Sequence, residues 1–258
     1  MDKSFHPLDQ HFNLPHIRHV GASRPMQWLS RGWSDMRENL GASLAYGAFF
    51  AVLGYLILAF ATDKPYLFIA AISGFFLVGP LAAAGLYEIS RRHERGQSAS
   101  LADSLKGLRE HGDGLMYFGL FLAITLIGWE RISAIMFALF YPGNVPELSN
   151  LFSQIFLSGD YTHFVVAYLV VGGALAAVVF SLAAISIPMV MDRDTDNITA
   201  AMTSMRAVGA NLGAMAVWAA LIVALIGIGF ATMMIGMVVL LPLLGHATWH
   251  AYRDLIEP

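Results

Sequence analysis

Five long apolar runs constrain this chain more than any other feature: Leu40 to Ala61, Tyr66 to Ile89, Leu115 to about Phe140, Phe164 to Met191, and Leu212 to Thr248. A hydrocarbon layer about 30 Å thick takes roughly 20 residues of helix, and a backbone in lipid must satisfy its own polar groups, so each run predicts a transmembrane helix. The last run is too long for one span. It predicts two helices of about 17 residues each, joined by a turn at Gly227 and Gly229, where glycine permits a left-handed backbone. Thr62, Asp63, Lys64 and Pro65 make a similarly short connection after the first span, with Pro65 placed to begin a helix. The expected fold class is therefore all-α: a polytopic membrane protein with six transmembrane helices as three hairpins. Only 13% of residues are charged, against about 25% in soluble domains. Without cysteine the chain has no disulfide framework, zinc-thiolate site or thiol nucleophile.

Orientation follows from the basic residues, which are retained on the cytosolic side. Every Lys and Arg except Lys64 and Arg131 lies before the first span, between the second and third, between the fourth and fifth, or after the sixth. Both chain ends are accordingly expected in the cytosol. Residues 1–24, interrupted by Pro7 and Pro15 and lacking a signal-peptide core, read as an irregular cytosolic tail, and 25–258 as a single membrane domain.

Each expected hairpin is preceded by one pattern: apolar, three residues, apolar, two residues, apolar, Arg. The instances are Leu29, Trp33, Met36, Arg37; then Leu101, Leu105, Leu108, Arg109; then Ile198, Met202, Met205, Arg206. Spacing of i, i+4, i+7 gathers the apolar residues on one helical face. These segments predict cytosolic amphipathic helices near 26–38, 99–110 and 197–208, lying on the membrane surface. Ser100 with Asp103 resembles a capping box, and Asp196 or Asn197 can cap the third helix. The chain thus reads as pseudo-repeats at about 26–91, 98–193 and 197–253, with any central cavity at their shared interface.

The stretches Ser43 to Phe50, Phe76 to Arg92 and Leu241 to Leu255 resemble an uncharacterised family of predicted bacterial integral membrane proteins, over roughly Arg24 to Ile256. Some members of that family are labelled as similar to cytochrome c oxidase subunit I. A more distant likeness is to the membrane domain of some glycerophosphodiester phosphodiesterases. The resemblance implies a bacterial inner-membrane location and six spans, and brings no established activity.

Candidate chemistry is sparse. His246 and His250 stand one helical turn apart, a chelating spacing, but without the Glu of a zinc-protease helix. Both are expected at the cytosolic interface, solvated or backbone-bonded. His6, His11, His16 and His19 lie in a Pro-interrupted tail without fixed geometry, and Asp192, Asp194 and Asp196 lack the Gly and Glu of a calcium loop. Glu130 and Arg131 stand about 24 Å up a helix that crosses roughly 30 Å of hydrocarbon, where charge defaults to a functional hypothesis. Being about 100° apart on the helix, each should need a partner elsewhere; alternatively Trp129 anchors the span at the interface and the pair is wetted. Glu88 should snorkel or pair with Arg91.

No phosphate-binding loop, nucleophile elbow, dinucleotide fingerprint or zincin helix occurs. The expectation is a protein that is not an enzyme, with no cofactor, metal, haem or nucleic-acid partner. It would be an accessory or scaffold protein packing against membrane lipids and against other membrane-protein subunits or itself. The alternative is a small-solute or lipid transporter or channel built around the repeat.

Overall fold

A computed structural model describes residues 14–61, 65–97, 99–140, 159–193 and 195–257. Its helices are α1 (Arg24–Glu38), α2 (Leu40–Phe60), α3 (Pro65–Ala82), α4 (Ala84–Glu94), α5 (Leu101–Glu110), α6 (Gly112–Phe140), α7 (Thr162–Ala183), α8 (Ser186–Asp192), α9 (Asn197–Ala210), α10 (Leu212–Ala231) and α11 (Met237–Leu255). The only extended pairing among the described residues is an isolated antiparallel bridge between Ile17 and Ile256.

Among the described residues, four stretches are long and apolar enough to cross a membrane: Leu40–Phe60, Gly112–Phe140, Thr162–Asp192 and Leu212–Ala231. The two shortfalls from six have a visible origin. Helix α3 stops at Ala82, just after Pro80, and the chain resumes as the more polar α4. Helix α11 is apolar only in its first half, the second carrying His246, His250, Arg253 and Asp254.

The start signals act as expected. Pro65 opens α3, Ser100 and Asp103 form a reciprocal capping box on α5, and the Asp196 side chain accepts from the backbone N–H groups of Ile198 and Thr199 on α9. The turn before α11 lies elsewhere than expected. It comes after Gly227 and Gly229, with Met233 and Met234 at φ 51° and 69°. Gly229 stays inside α10, where a Cβ would come within 2.5 Å of the Met237 sulfur. Thr232 closes the turn, its hydroxyl donating to the Ile228 carbonyl and accepting from Gly236 N–H.

Residues 1–13 of the expected tail lie outside the described residues. From Leu14 the chain is a strap bound to the C-terminus: Arg18 N–H donates to the Leu255 carbonyl (2.8 Å) and Glu257 N–H to the His16 carbonyl (3.1 Å). Asn211, at the α9–α10 junction, holds it from the other side, accepting from Val20 N–H (2.8 Å) and donating to the Arg18 carbonyl (3.0 Å). Arg24 then grips Asp254 through two nitrogens (2.6 and 2.8 Å), and Trp28 Nε1 donates to the same carboxylate (2.9 Å). Unpaired, a buried carboxylate costs several kcal/mol, so three donors fix where the strap ends and α1 begins.

The long helices pack in one continuous series. Helix α2 lies on α3, α6 on α7 and α10 on α11; between these pairs, α11 packs on α2 and α3 on α6. Helix α1 seats on α11, α5 on α4, and α9 on α7 and α8. The seats are alike: a Cβ at Gly32 would come within 2.6 Å of the Ala247 nitrogen, Ser104 Oγ donates to the Gly85 carbonyl (2.6 Å), and Ser204 Oγ accepts from Ile185 N–H (3.2 Å). The last of these satisfies a backbone donor freed by the break between α7 and α8. Small or hydroxylated faces of α5 and α9 thus point inward, while Leu101, Leu105, Ile198 and Met205 point outward. In α1 the stripe divides, with Trp33 outward and Met36 buried.

Candidate functional site

Four helices aim polar side chains at one point. Asp35 and Glu38 share a face of α1, Ser43 lies one turn into α2, Ser90 and His93 share a face of α4, and His246 and His250 share a face of α11. Ser43 Oγ lies 2.9 Å from His246 Nε2, and His246 Nδ1 lies 2.8 Å from Ser90 Oγ. Ser90 donates to Asp35 Oδ2 at 2.6 Å, so its oxygen accepts from His246 Nδ1–H, leaving Nε2 to accept from Ser43. His250 Nε2 donates to Asp35 Oδ2 (2.9 Å), and His93 Nδ1 to Asp35 Oδ1 (3.0 Å). The other His93 nitrogen faces Glu38 Oε2 at 2.5 Å; two carboxylates on two ring nitrogens describe an imidazolium. Ser43, His246, Ser90 and Asp35 are buried.

Burial pushes the Asp35 carboxyl upward, but the hydrogen bonds from His250 and Ser90 outweigh it and hold the group below its ordinary value. Burial likewise lowers His93, and Asp35 with Glu38 outweighs it, so His93 is raised. The signs set a window. Asp35 contributes fully above the unfolded carboxyl pKa of about 3.9 and loses its contribution as pH falls through its depressed folded value. His93 contributes fully below about 6.5 and loses its contribution as pH rises through its raised value. These two groups contribute fully together only below about pH 6.5, so thermal stability in detergent should decline as pH rises above that value, through the α1–α4 contact. A flat profile from pH 5 to 9 would contradict the His93 pairing.

Sequence reasoning singled out two members of this cluster, and the structure changes their setting. His246 is buried and bonded to two serines, neither solvated nor backbone-bonded, because α1 covers that end of α11. His250 turns to Asp35, so the pair does not converge as chelators. Among the described residues no group of three or more His, Cys, Asp or Glu is placed to hold a metal ion. Asp35, Ser43, Ser90 and His93 were missed. Their signal was polar residues at i+3 or i+4 spacing, repeated at the same end of three helices.

Glu88 pairs with Arg91 as expected (2.7 Å) and also with Arg92 (2.7 Å). It does not snorkel: it is fully buried beneath α5, and a Cβ at Gly107 would come within 2.5 Å of its carboxyl carbon. Glu130 and Arg131, expected to need separate partners, pair with one another at 3.3 Å. The long Arg stem spans the 100° between them, and its side chain is 77% exposed. Trp129 is not an exposed anchor; it is buried edge-on to Tyr168, with centroids 5.0 Å apart. A further network joins the ends of α4, α8 and α11. Asp192 accepts from Tyr252 Oη (2.8 Å), Arg95 (3.1 Å) and Arg253 (3.2 Å).

Among the described residues, two largely apolar clefts lie within the bundle. One, of about 200 Å³, lies among α2, α3 and α6 near Phe50, Gly54, Phe75 and Leu126. The other, of about 110 Å³, reaches the centre among α3, α4, α7, α10 and α11, near Pro80, Tyr87, Val179 and Ile222. Neither is lined by Ser43, His246, Ser90 or Asp35.

Residues 67–192, just under half the chain, match the model of a family described as predicted integral membrane protein (DUF2189). With its long apolar helices, the chain is an integral membrane protein. No curated protein and no solved structure matches it, so neither the oxidase label nor the phosphodiesterase likeness gains support.

Proposed function

We propose that the chain is a six-span protein of the bacterial inner membrane, built as three hairpins behind three cytosolic amphipathic helices, and that it serves as a non-enzymatic accessory or scaffold protein. The observation that carries this reading is the separation of polarity. The polar side chains gather at the helix junctions, in the closed cluster around Asp35 and around open polar clefts beside Asp192 and Arg193, while the clefts deeper in the bundle are largely apolar. A conduit for polar solutes needs polar groups along its path. The pattern of seats, Gly32 on Ala247, Ser104 on Gly85 and Ser204 on Ile185, supports the threefold repeat. Outward apolar residues on α1, α5 and α9 suit helices lying in a headgroup layer.

Co-purification in mild detergent, with identification of bound proteins and lipids, tests the role; a partner subunit retained in fixed ratio is the expected result. Flux of a polar solute through reconstituted vesicles would overturn it. A second reading, transport of lipid, is favoured only by the apolar character of the clefts.

Topology is tested separately. Alkaline phosphatase fused after Asn150 should be active, and fused after Gly96 or Asp196 inactive. Activity at either of the latter sites would reverse the orientation.

A further inference from the structure

Two of the three seams between helix pairs are packed and the third is open. At the first packed seam Gly47 on α2 meets the backbone of Val238 on α11; at the second, Gly74 on α3 meets Leu126 and Gly119 on α6 meets Leu81. Small residues of this kind let membrane helices approach closely. The third pair, α7 and α10, scarcely touches although both helices are described throughout. Its glycines point elsewhere: Gly172 faces Trp129 on α6, and Gly173 has nothing within 4 Å. The facing residues are instead Val179 and Phe180 on α7 and Ile222 and Ile226 on α10. With Ala176 and Trp218 these side chains line the cleft of about 110 Å³ between the two helices. Helix α7 is correspondingly bare: 6% of the most apolar part of Thr162–Asp192 is buried, against 28% in each of the other three stretches.

We infer that the α7–α10 seam is a lateral binding site for a single hydrocarbon chain of a bilayer lipid, entering from the membrane and reaching the centre of the bundle. The inference rests on the membrane-spanning reading proposed above. At this depth the medium beside the opening is acyl chain, and a slot whose lining is apolar except for the Tyr87 and Thr248 hydroxyls offers water few hydrogen-bond partners. A cleft of about 110 Å³ has no room for a partner helix, about 10 Å across with its side chains. At its inner end Trp218, buried edge-on against Trp28 with centroids 5.8 Å apart, closes the way to the α1 layer. The chain is therefore held within the seam.

The test reconstitutes the full chain in phosphatidylethanolamine and phosphatidylglycerol vesicles containing a phospholipid with a photoreactive diazirine in its acyl chain, and maps the labelled residues. Labelling at Val179, Phe180, Ile222 and Ile226 should exceed that at the outward Val166, Leu169 and Val170. Ala176→Trp, which fills the slot from its α7 wall, should remove most of the label at Ile222 and Ile226, and Ala177→Trp, outside the slot on the same helix, should leave it. Equal labelling of cleft and outward residues would sink the site while leaving the membrane reading intact; absence of label at the outward residues would sink the membrane reading itself. Because the chain has no native cysteine, the pair Ala176→Cys and Ile222→Cys gives a clean second measurement. Rapid disulfide formation in the native membrane would show the seam closing on itself, and protection of these cysteines by a co-purifying protein would show a partner in place of lipid; either overturns the proposal.

Discussion

Gly47→Ala is expected to cost about 3 kcal/mol or more, the upper part of the range for overpacking a close contact. Pro242 has no N–H, so the Val238 carbonyl four residues earlier lacks its helical donor. That carbonyl oxygen occupies the place where a side chain at position 47 would begin. Both parties are backbone within helices, so neither can yield by rotating a side chain. The whole α2–α11 seam must open, carrying with it the Ser43–His246 bond one turn away. Thermal unfolding in detergent, followed through tryptophan fluorescence, measures the effect. Gly227→Ala is the comparison: nothing lies within 4 Å of that position inside α10, and exchange should be neutral or stabilising by up to about 1 kcal/mol. Equal stability of the two variants would mean that α2 and α11 are not in backbone contact.

This seam also shows what kind of information the sequence carried. The apolar runs, the capping box and the amphipathic segments are local signals, and they placed α2, α6, α10 and the three amphipathic helices to within a few residues, while the break that divides α7 from α8 within the expected Phe164–Met191 span was not foreseen. Gly47 and Pro242 were visible as residues, yet their meeting depends on which helices are neighbours. Periodicity along a single segment does not state that. The same limit applies to the polar cluster. His246 and His250 were legible as a pair on one helix, but Asp35 was not legible as their neighbour, because the helix that covers it, α11, lies more than 200 residues further along the chain. Glu130 and Arg131 failed for the opposite reason. The helical wheel treated their side chains as directions, whereas the Arg stem is long enough to turn back on its neighbour.

Asp35 supplies the second large effect. Its two oxygens take hydrogen bonds from Ser90, His250 and His93, and Asp35→Ala would remove the acceptor from the Ser90 hydroxyl, His250 Nε2 and His93 Nδ1. Removing one member of a buried charged cluster typically costs about 3 kcal/mol, most of it the penalty of the groups left behind. Asp35→Asn separates charge from shape. With its oxygen toward Ser90 and His250 it keeps both of those bonds, but its amide then points hydrogens at His93 Nδ1. His93 can accept there only as the neutral ring, so the imidazolium loses its stronger partner and keeps only Glu38. Asp35→Asn should accordingly lose about half as much stability as the alanine variant near pH 6, roughly 1.5 kcal/mol. It should also flatten the decline above pH 6.5 that His93 imposes on the native chain. A purely steric role for Asp35 predicts the reverse: near-native stability for the isosteric Asn and an unchanged alkaline decline. Unfolding of the three proteins at pH 5.5 and pH 8 decides between them.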